Sequence, residues 1–181
     1  MIRIIGGKYS SRQLEVPPLD GVRPTQDRVR EAVFSSIGTK INSSVVLDLF
    51  AGSGAYGFEA ISRGGKESFF NDLNPKCIEA IKKSAIKLDC LNQVHLLKGD
   101  YKKALANLES QNIKFDIIFL DPPYADEVNK DIIELSKDRI LNDEGIIVAE
   151  QEKPLEEIEG FILKAYKYSY KRVGIYRRLA K

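Results

Sequence analysis

Histidine, cysteine and tryptophan are nearly missing from this 181-residue chain, which holds one His, two Cys and no Trp. A single histidine, His95, gives no basis for a zinc site or a Ser/His/Asp triad, and Cys77 and Cys90 do not have metal-ligand spacing. No metal is expected. The cysteines read as reduced, buried filler in a cytoplasmic protein, and His95, in a strand-like run, reads as structural. Long apolar stretches are missing as well, so nothing is suited to spanning a membrane. The N-terminus MIRIIGGKYSSR lacks the apolar core of a signal peptide. There is no internal repeat, low-complexity tract or linker.

Acids are missing from one end. Residues 164–181 carry seven Lys/Arg and no Asp or Glu, and residues 1–30 carry six against three. The whole chain is only +2, so the body between these ends is acidic. If the ends meet in space they form a patch that attracts phosphates; if they do not, they are solvated faces on separate sides. The hydrophobic fraction of 43% and charged fraction of 30% suit one soluble α/β domain with a small extension.

What is present is organised around VVLDLFAGSGAYG, Val45 to Gly57. Val45, Val46, Leu47 and Leu49 form an apolar run without alternation, as expected of a strand buried on both faces of a parallel sheet. Asp48 interrupts it near its end. Gly52, Gly54 and Gly57 follow, and then the helix-compatible FEAIS. A glycine turn between a buried strand and a helix exposes backbone to a ligand beside a helix N-terminus. A nucleotide-type ligand is expected there. Gly52-x-Gly54-x-x-Gly57 matches the dinucleotide fingerprint, with Asp72 near the offset for a ribose, so NAD is one candidate. S-adenosylmethionine is favoured by two details. Asp48 lies inside the strand, where it can face a ligand's ammonium group, and a downstream motif fits methyl transfer rather than hydride transfer.

Residues 1–42 read as an extension of strand-like pieces and one helix in front of a nucleotide-binding domain over 43–181. Thr25 can cap the helix from about Gln26 to Ile37, with Val29, Ala32, Val33 and Ile37 as its apolar face. Arg23, Arg28 and Arg30 stand at its entrance, either solvated or facing phosphate. Alternating strands and helices follow: a helix over about Tyr56–Arg63, strand Ser68–Asp72, and a helix opened by Asn74-Pro75. Strand Val94–Asp100, a helix over Tyr101–Gln111, FDIIFLDPPY, a helix over about Asn129–Arg139 and strand Gly145–Glu150 come next. The tail has two strand-like runs suited to an antiparallel hairpin, with Tyr166, Tyr168 and Tyr170 on one face by period two. Asp48, Asp72 and Asp100 close three strands and should rim one ligand, with Asp72 suited to ribose hydroxyls and Asp100 to an adenine amine.

DPPY, Asp121 to Tyr124, directly follows the apolar run IIFL. Two prolines make a stiff turn, which places groups accurately. The Asp121 carboxylate and the Pro122 carbonyl can accept the two hydrogens of a base amine, and Tyr124 offers a ring for stacking. An exocyclic amine is a poor nucleophile because its lone pair is delocalised into the ring. Two acceptors favour a pyramidal nitrogen aimed at an activated methyl group. The leaving proton can go to Asp121 or to water.

At these residues the chain resembles the class I S-adenosylmethionine-dependent amino-methyltransferases, with D-x-F-x-G-x-G as Asp48, Phe50, Gly52 and Gly54 and D-P-P-Y as Asp121, Pro122, Pro123 and Tyr124. RIIGGKYSSRQLEVP, VRPTQDRVREAVFSSIG, LDLFAGSGAYGFEAISRG, FLDPPY and IIVAEQ together are similar to the bacterial small-subunit ribosomal RNA guanine-N2 methyltransferases of the RsmD type, over nearly the whole chain. This resemblance implies a Rossmann-like fold of mostly parallel sheet with helices on both faces and a C-terminal antiparallel hairpin. It implies methylation of one guanine amine in 16S rRNA within small subunits or their assembly intermediates. A monomer is expected. Asp48, Phe50 and the glycine turn would hold cofactor, Asp72 its ribose, Asp100 its adenine, and Asp121 to Tyr124 the guanine. Arg23 and Arg28 would meet RNA. Many members have a Tyr-Gly-containing link before the last strand, and the tail here, KYSYKRVGIYRR, is shortened by comparison. DNA adenine methyltransferases share DPPY but need a target-recognition domain. Glutamine methyltransferases usually have Asn at position 121, and an NAD dehydrogenase has no use for DPPY. A non-catalytic RNA-binding assembly factor would be expected to show damaged motifs.

Overall fold

Buried aliphatic runs that end in acids or glycines dictate a parallel sheet whose carboxyl edge is free for a ligand. The computed structural model describes residues 1–18 and 27–180. Its elements are β1 (Ile2–Arg3), β2 (Gln13–Leu14), α1 (Asp27–Ile37), β3 (Val45–Asp48), α2 (Ala55–Ser62), β4 (Glu67–Asp72), α3 (Pro75–Lys87) and β5 (Val94–Lys98). There follow α4 (Tyr101–Ser110), β6 (Phe115–Leu120), α5 (Ala125–Arg139), β7 (Leu141–Gln151), β8 (Phe161–Tyr168) and β9 (Lys171–Arg178). Seven strands form one sheet in the order β5-β4-β3-β6-β7-β9-β8. The pairings among β3 to β7 are parallel, while β9 runs antiparallel to both β7 and β8. This is the Rossmann-like arrangement, closed by the expected hairpin. The strand order reverses between β3 and β6, where an open α/β sheet receives its ligand.

Alternate strand residues feed two cores. Val46, Ile117 and Phe119 pack with Val29, Val33 and Phe34 of α1. Leu47, Ile118 and Leu120 pack on the other face with Leu108, Ile132 and Ile133 of α4 and α5. A third cluster joins Ile2, Ile4 and Leu14 to Phe58, Ile61, Phe70 and Ile81, fastening the N-terminal strands over α2 and α3. The Asn74 side chain caps α3 by accepting from the Lys76 N–H, with Pro75 in the first turn.

Some expected bounds shift. Helix α5 starts at Ala125, directly after DPPY rather than at Asn129, with Asp126 and Glu127 in its first turn, where the helix dipole favours acids. Strand β7 starts at Leu141, four residues ahead of Gly145. On α1 the buried face is Val29, Arg30, Val33, Phe34 and Ile37, so Phe34 and an arginine take the place foreseen for Ala32. Tyr166 and Tyr168 pack against one core, but Tyr170 falls in the two-residue turn after β8 rather than on the strand. The Thr25 cap and Gln26 lie outside the described residues.

Candidate active site

The end of β3 and the turn after β6 flank the point of strand reversal, so Asp48 and Asp121 are brought to one edge. Between them lies a cavity of about 610 Å³, in the range of small-molecule sites. Asp48, Phe50, Gly52, Asp72, Asp121, Pro122, Pro123 and Tyr124 all line it, as do Tyr56, Cys77, Glu150 and Lys171.

Two carboxylates shape the glycine turn. Asp72 Oδ2 accepts from the Gly52 N–H at 2.9 Å and Oδ1 from the Asn74 N–H at 2.8 Å. Gly52 has a φ of 57°, and a Cβ built there would meet nothing within 4 Å, so backbone conformation rather than space calls for glycine. At Gly57 the reason is contact: a Cβ would lie 2.2 Å from Phe70 Cε1 on the neighbouring strand. That close approach lets Asp48 Oδ2 accept the Gly57 N–H at 3.1 Å. Gly54 is the left-handed N-cap of α2, beside the cavity rather than on its wall.

Burial pushes the Asp48 carboxyl well above the usual range, in spite of the Gly57 hydrogen bond, and the nearby Asp121, Asp72 and Glu150 push the same way. Glu150, at the end of β7 and 1% exposed, is pushed up to about 7 by burial and by Asp121, opposed by Lys171 and Tyr56. The Tyr56 hydroxyl donates to Glu150 Oε1; burial and then Glu150 hold this phenol well above its ordinary value. Lys171 Nζ lies 3.2 Å from Glu150 Oε2 and 3.4 Å from Asp121 Oδ1. It is the single Lys or Arg among the described residues of the cavity wall. The wall is therefore rich in acids and poor in cations, which suits a cationic ligand.

The mouth is aromatic. Tyr124, 41% exposed, meets Phe50 edge-on at 6.2 Å and Tyr101 at 6.5 Å between ring centroids. Phe50 and Tyr101 are 5.4 Å apart, so Tyr101, itself outside the wall, backs the two rings that line it.

Of the strand-end acids, Asp100 behaves differently. It caps α4, its Oδ1 accepting from the Lys102 N–H at 2.9 Å, and it is outside the cavity wall, although its charge reaches Tyr124. The cysteines are free and buried, and burial followed by Asp72 pushes Cys77 up to about 12, leaving an inert thiol on the cavity wall. His95 Nε2 pairs with Glu67 at 2.8 Å and the ring stacks on Phe69. Among the described residues no group of three or more His, Cys, Asp or Glu could hold a metal ion, and no helix is long and apolar enough to cross a membrane.

The basic ends do meet. The Arg177 guanidinium donates to the Ser36 carbonyl at the end of α1, and Tyr166 Oη lies 3.5 Å from Ser36 Oγ. The Arg28 guanidinium stands 5.5 Å from the Tyr168 ring centroid. Helix α1 and the hairpin β8–β9 thus share one basic, tyrosine-bearing face, and the start of β9 places Lys171 in the cavity wall. Arg23 lies outside the described residues. Sequence reasoning did not single out Tyr56, Tyr101, Glu150 or Lys171. Glu150 carries a usable signal, an acid ending a buried run much as Asp48 does; the others carry none.

Residues 2–177 match the family profile described as Conserved hypothetical protein 95. The chain belongs to this family. A relative named Ribosomal RNA small subunit methyltransferase D, from Buchnera aphidicola subsp. Baizongia pistaciae, is 36% identical over 176 residues, covering 94% of this chain and 88% of that protein. A solved structure of a candidate methyltransferase, yhhF from Escherichia coli, superposes with a TM-score of 0.87 at 29% identity, covering 99% of both chains. An RNA methyltransferase from Salinibacter ruber, solved with S-adenosyl-L-homocysteine, shares the fold with a TM-score of 0.66 at 14% identity, covering 88% of this chain and 95% of that one.

Proposed function

We propose that this family member transfers a methyl group from S-adenosylmethionine to the exocyclic N2 amine of a guanine in small-subunit ribosomal RNA. It acts as a cytoplasmic monomer on small subunits or their assembly intermediates. The observation that carries this reading is the cavity at the strand reversal. There a buried, under-neutralised carboxyl (Asp48) and a stiff acceptor turn (Asp121–Pro122) face the same space.

The wall residues fit the cofactor. Asp48 takes the ammonium group, which gives its carboxyl the countercharge that the protein withholds. Asp72 keeps acceptor capacity beyond its two backbone hydrogen bonds and takes the ribose hydroxyls. Phe50 and Gly52 shape the surrounding wall, Gly54 sets the turn into α2 beside it, and Asp100, just outside the wall, would take the adenine amine through the oxygen not used in capping. When bound, the cofactor supplies a methyl group already activated as a sulfonium.

The remaining work is positioning. A guanine splayed out of its stack slides against Tyr124 at the aromatic mouth, with Pro123 as the lip. Asp121 and the Pro122 carbonyl accept the two N2 hydrogens and turn the nitrogen lone pair towards the methyl carbon. Bound there, S-adenosylmethionine would supply the methyl group and keep the electron pair of its C–S bond, while the N2 proton would pass to Asp121 or to water. Arg28 meets RNA phosphates on the basic face, and Arg23 is a second candidate for a phosphate contact.

The test is transfer of labelled methyl to small subunits, or their assembly intermediates, from cells lacking this activity, with product nucleosides resolved. Label in N2-methylguanosine is expected. Label in a methyladenosine would overturn the base assignment, and no transfer by a cofactor-binding protein would overturn the reading as an enzyme on this particle.

A further inference from the structure

The catalytic aspartate follows a strand and precedes a helix, so its backbone is fixed but its carboxylate swings about two side-chain torsions. Its Oδ1 meets the Lys171 ammonium at 3.4 Å. That lysine is itself anchored, because Glu150 Oε2 lies 3.2 Å from Nζ while Glu150 Oε1 accepts the Tyr56 hydroxyl. Tyr56 in turn stacks on Phe119 of β6, with ring centroids 4.5 Å apart and planes within 13°. The contacts therefore run from a packed core ring, through Tyr56, Glu150 and Lys171, to one oxygen of Asp121.

We propose that Lys171, held by Glu150, is a positioning residue that fixes the Asp121 carboxylate and leaves its second oxygen to receive the guanine amine. This rests on the amino-methyltransfer reading and deepens it by assigning two residues of the same site.

Charge supports the assignment. The groups facing Glu150 are Tyr56 from α2, Asp48 from β3, Asp121 from the turn after β6 and Lys171 from β9, with Arg30 of α1 acting on Tyr56. Burial lowers the Lys171 ammonium, but Asp121 and Glu150 outweigh burial and raise it, so it stays protonated. A cation beside a site for a sulfonium is electrostatically costly unless it has its own countercharges. Glu150 is that countercharge, and an oriented acceptor is what the lysine gives in return. The hairpin that presents Lys171 also carries Tyr168 beneath Arg28, so the same element that faces RNA sets the aspartate.

The experiment compares Lys171→Met, Lys171→Arg and Glu150→Gln with the parent protein, reading kcat, KM for each substrate and S-adenosylhomocysteine affinity. A mispositioned acceptor lowers kcat roughly 10- to 100-fold. Lys171→Met should show that loss while both KM values and the affinity stay within about threefold. Lys171→Arg should recover most of kcat. Glu150→Gln should cost kcat less, and the double variant should match Lys171→Met alone, since Glu150 acts through the lysine. Unchanged kcat in Lys171→Met overturns the proposal, and so does a salt-dependent rise in RNA KM at normal kcat, the mark of a phosphate contact. Should Lys171→Met fail to fold, Glu150→Gln and Lys171→Arg decide by the same split. Carboxyl NMR titration of Glu150 reads the contact without turnover. Lys171→Met should raise its midpoint above about 7, and an unmoved midpoint overturns the contact even if no RNA is methylated.

Discussion

Two buried glutamates sit on the same molecule in opposite circumstances. Glu59 on α2, fully buried, accepts the N–H groups of Ile5 and Gly6 at 2.9 Å each and pairs with Arg63 at 2.8 Å and Arg30 at 3.7 Å. Glu150, 1% exposed, has one lysine and one tyrosine hydroxyl, with the carboxyl groups of Asp48 and Asp121 close enough to matter. The first is saturated with donors and clamps the N-terminal strands to the domain. The second belongs to an acidic wall that the protein does not neutralise. Excess burial of one sign marks where a ligand must supply the other sign, whereas a saturated ion network marks where the chain is fastened.

Breaking the fastened side should cost most. Glu59→Ala leaves the buried Arg30 with Asp27 alone, strips the Ile5 and Gly6 N–H groups of their acceptor, and should destabilise by about 3–5 kcal/mol, read from denaturant midpoints, while activity per folded molecule is kept. Asp121→Ala should do the reverse: turnover falls about 10²- to 10³-fold, roughly 3–4 kcal/mol, with cofactor affinity and stability retained. Unchanged turnover would remove the acceptor role.

The pH response singles out Glu150. A carboxyl whose folded value is raised contributes stability at low pH and loses it as pH rises from the unfolded to the folded value. For Glu150 that window runs from about 4.5 to about 7. Its share of apo-protein stability should fall by on the order of 3 kcal/mol across this window. Glu150→Gln should flatten that part of the curve, measured as denaturant midpoints at pH 5 and pH 8; a parallel curve would contradict the burial argument. Smaller still, Tyr124→Ala should lose about 1–3 kcal/mol of stacking, seen chiefly in KM for RNA.

Local signals carried much of this in the sequence. The strand-glycine-helix run around Asp48, the Asn74-Pro75 cap and the DPPY turn each depend on residues close together in the chain, so their chemistry is legible there. Asp100 shows the limit, because an acid after a strand suits a ligand and a helix N-cap equally, and the carboxylate oxygen facing the Lys102 N–H takes the cap. Glu150 meets Tyr56 across 94 residues and Asp121 meets Lys171 across 50. No local pattern encodes those meetings; they arise from β9 returning antiparallel beside β7. The meeting of the basic ends likewise came from tertiary packing of α1 on the hairpin rather than from charge counts.

The account turns on the acidic wall awaiting a cation, and the most direct measurement is calorimetric binding of S-adenosylmethionine near pH 7 in buffers of different ionisation heat. Burial raises the Asp48 carboxyl, so pairing with an ammonium group lowers it again and releases whatever proton it holds. Net proton release on binding is predicted, with release diminished and affinity weakened in Asp48→Asn. Binding with no proton exchange, equally tight in that variant, would contradict it.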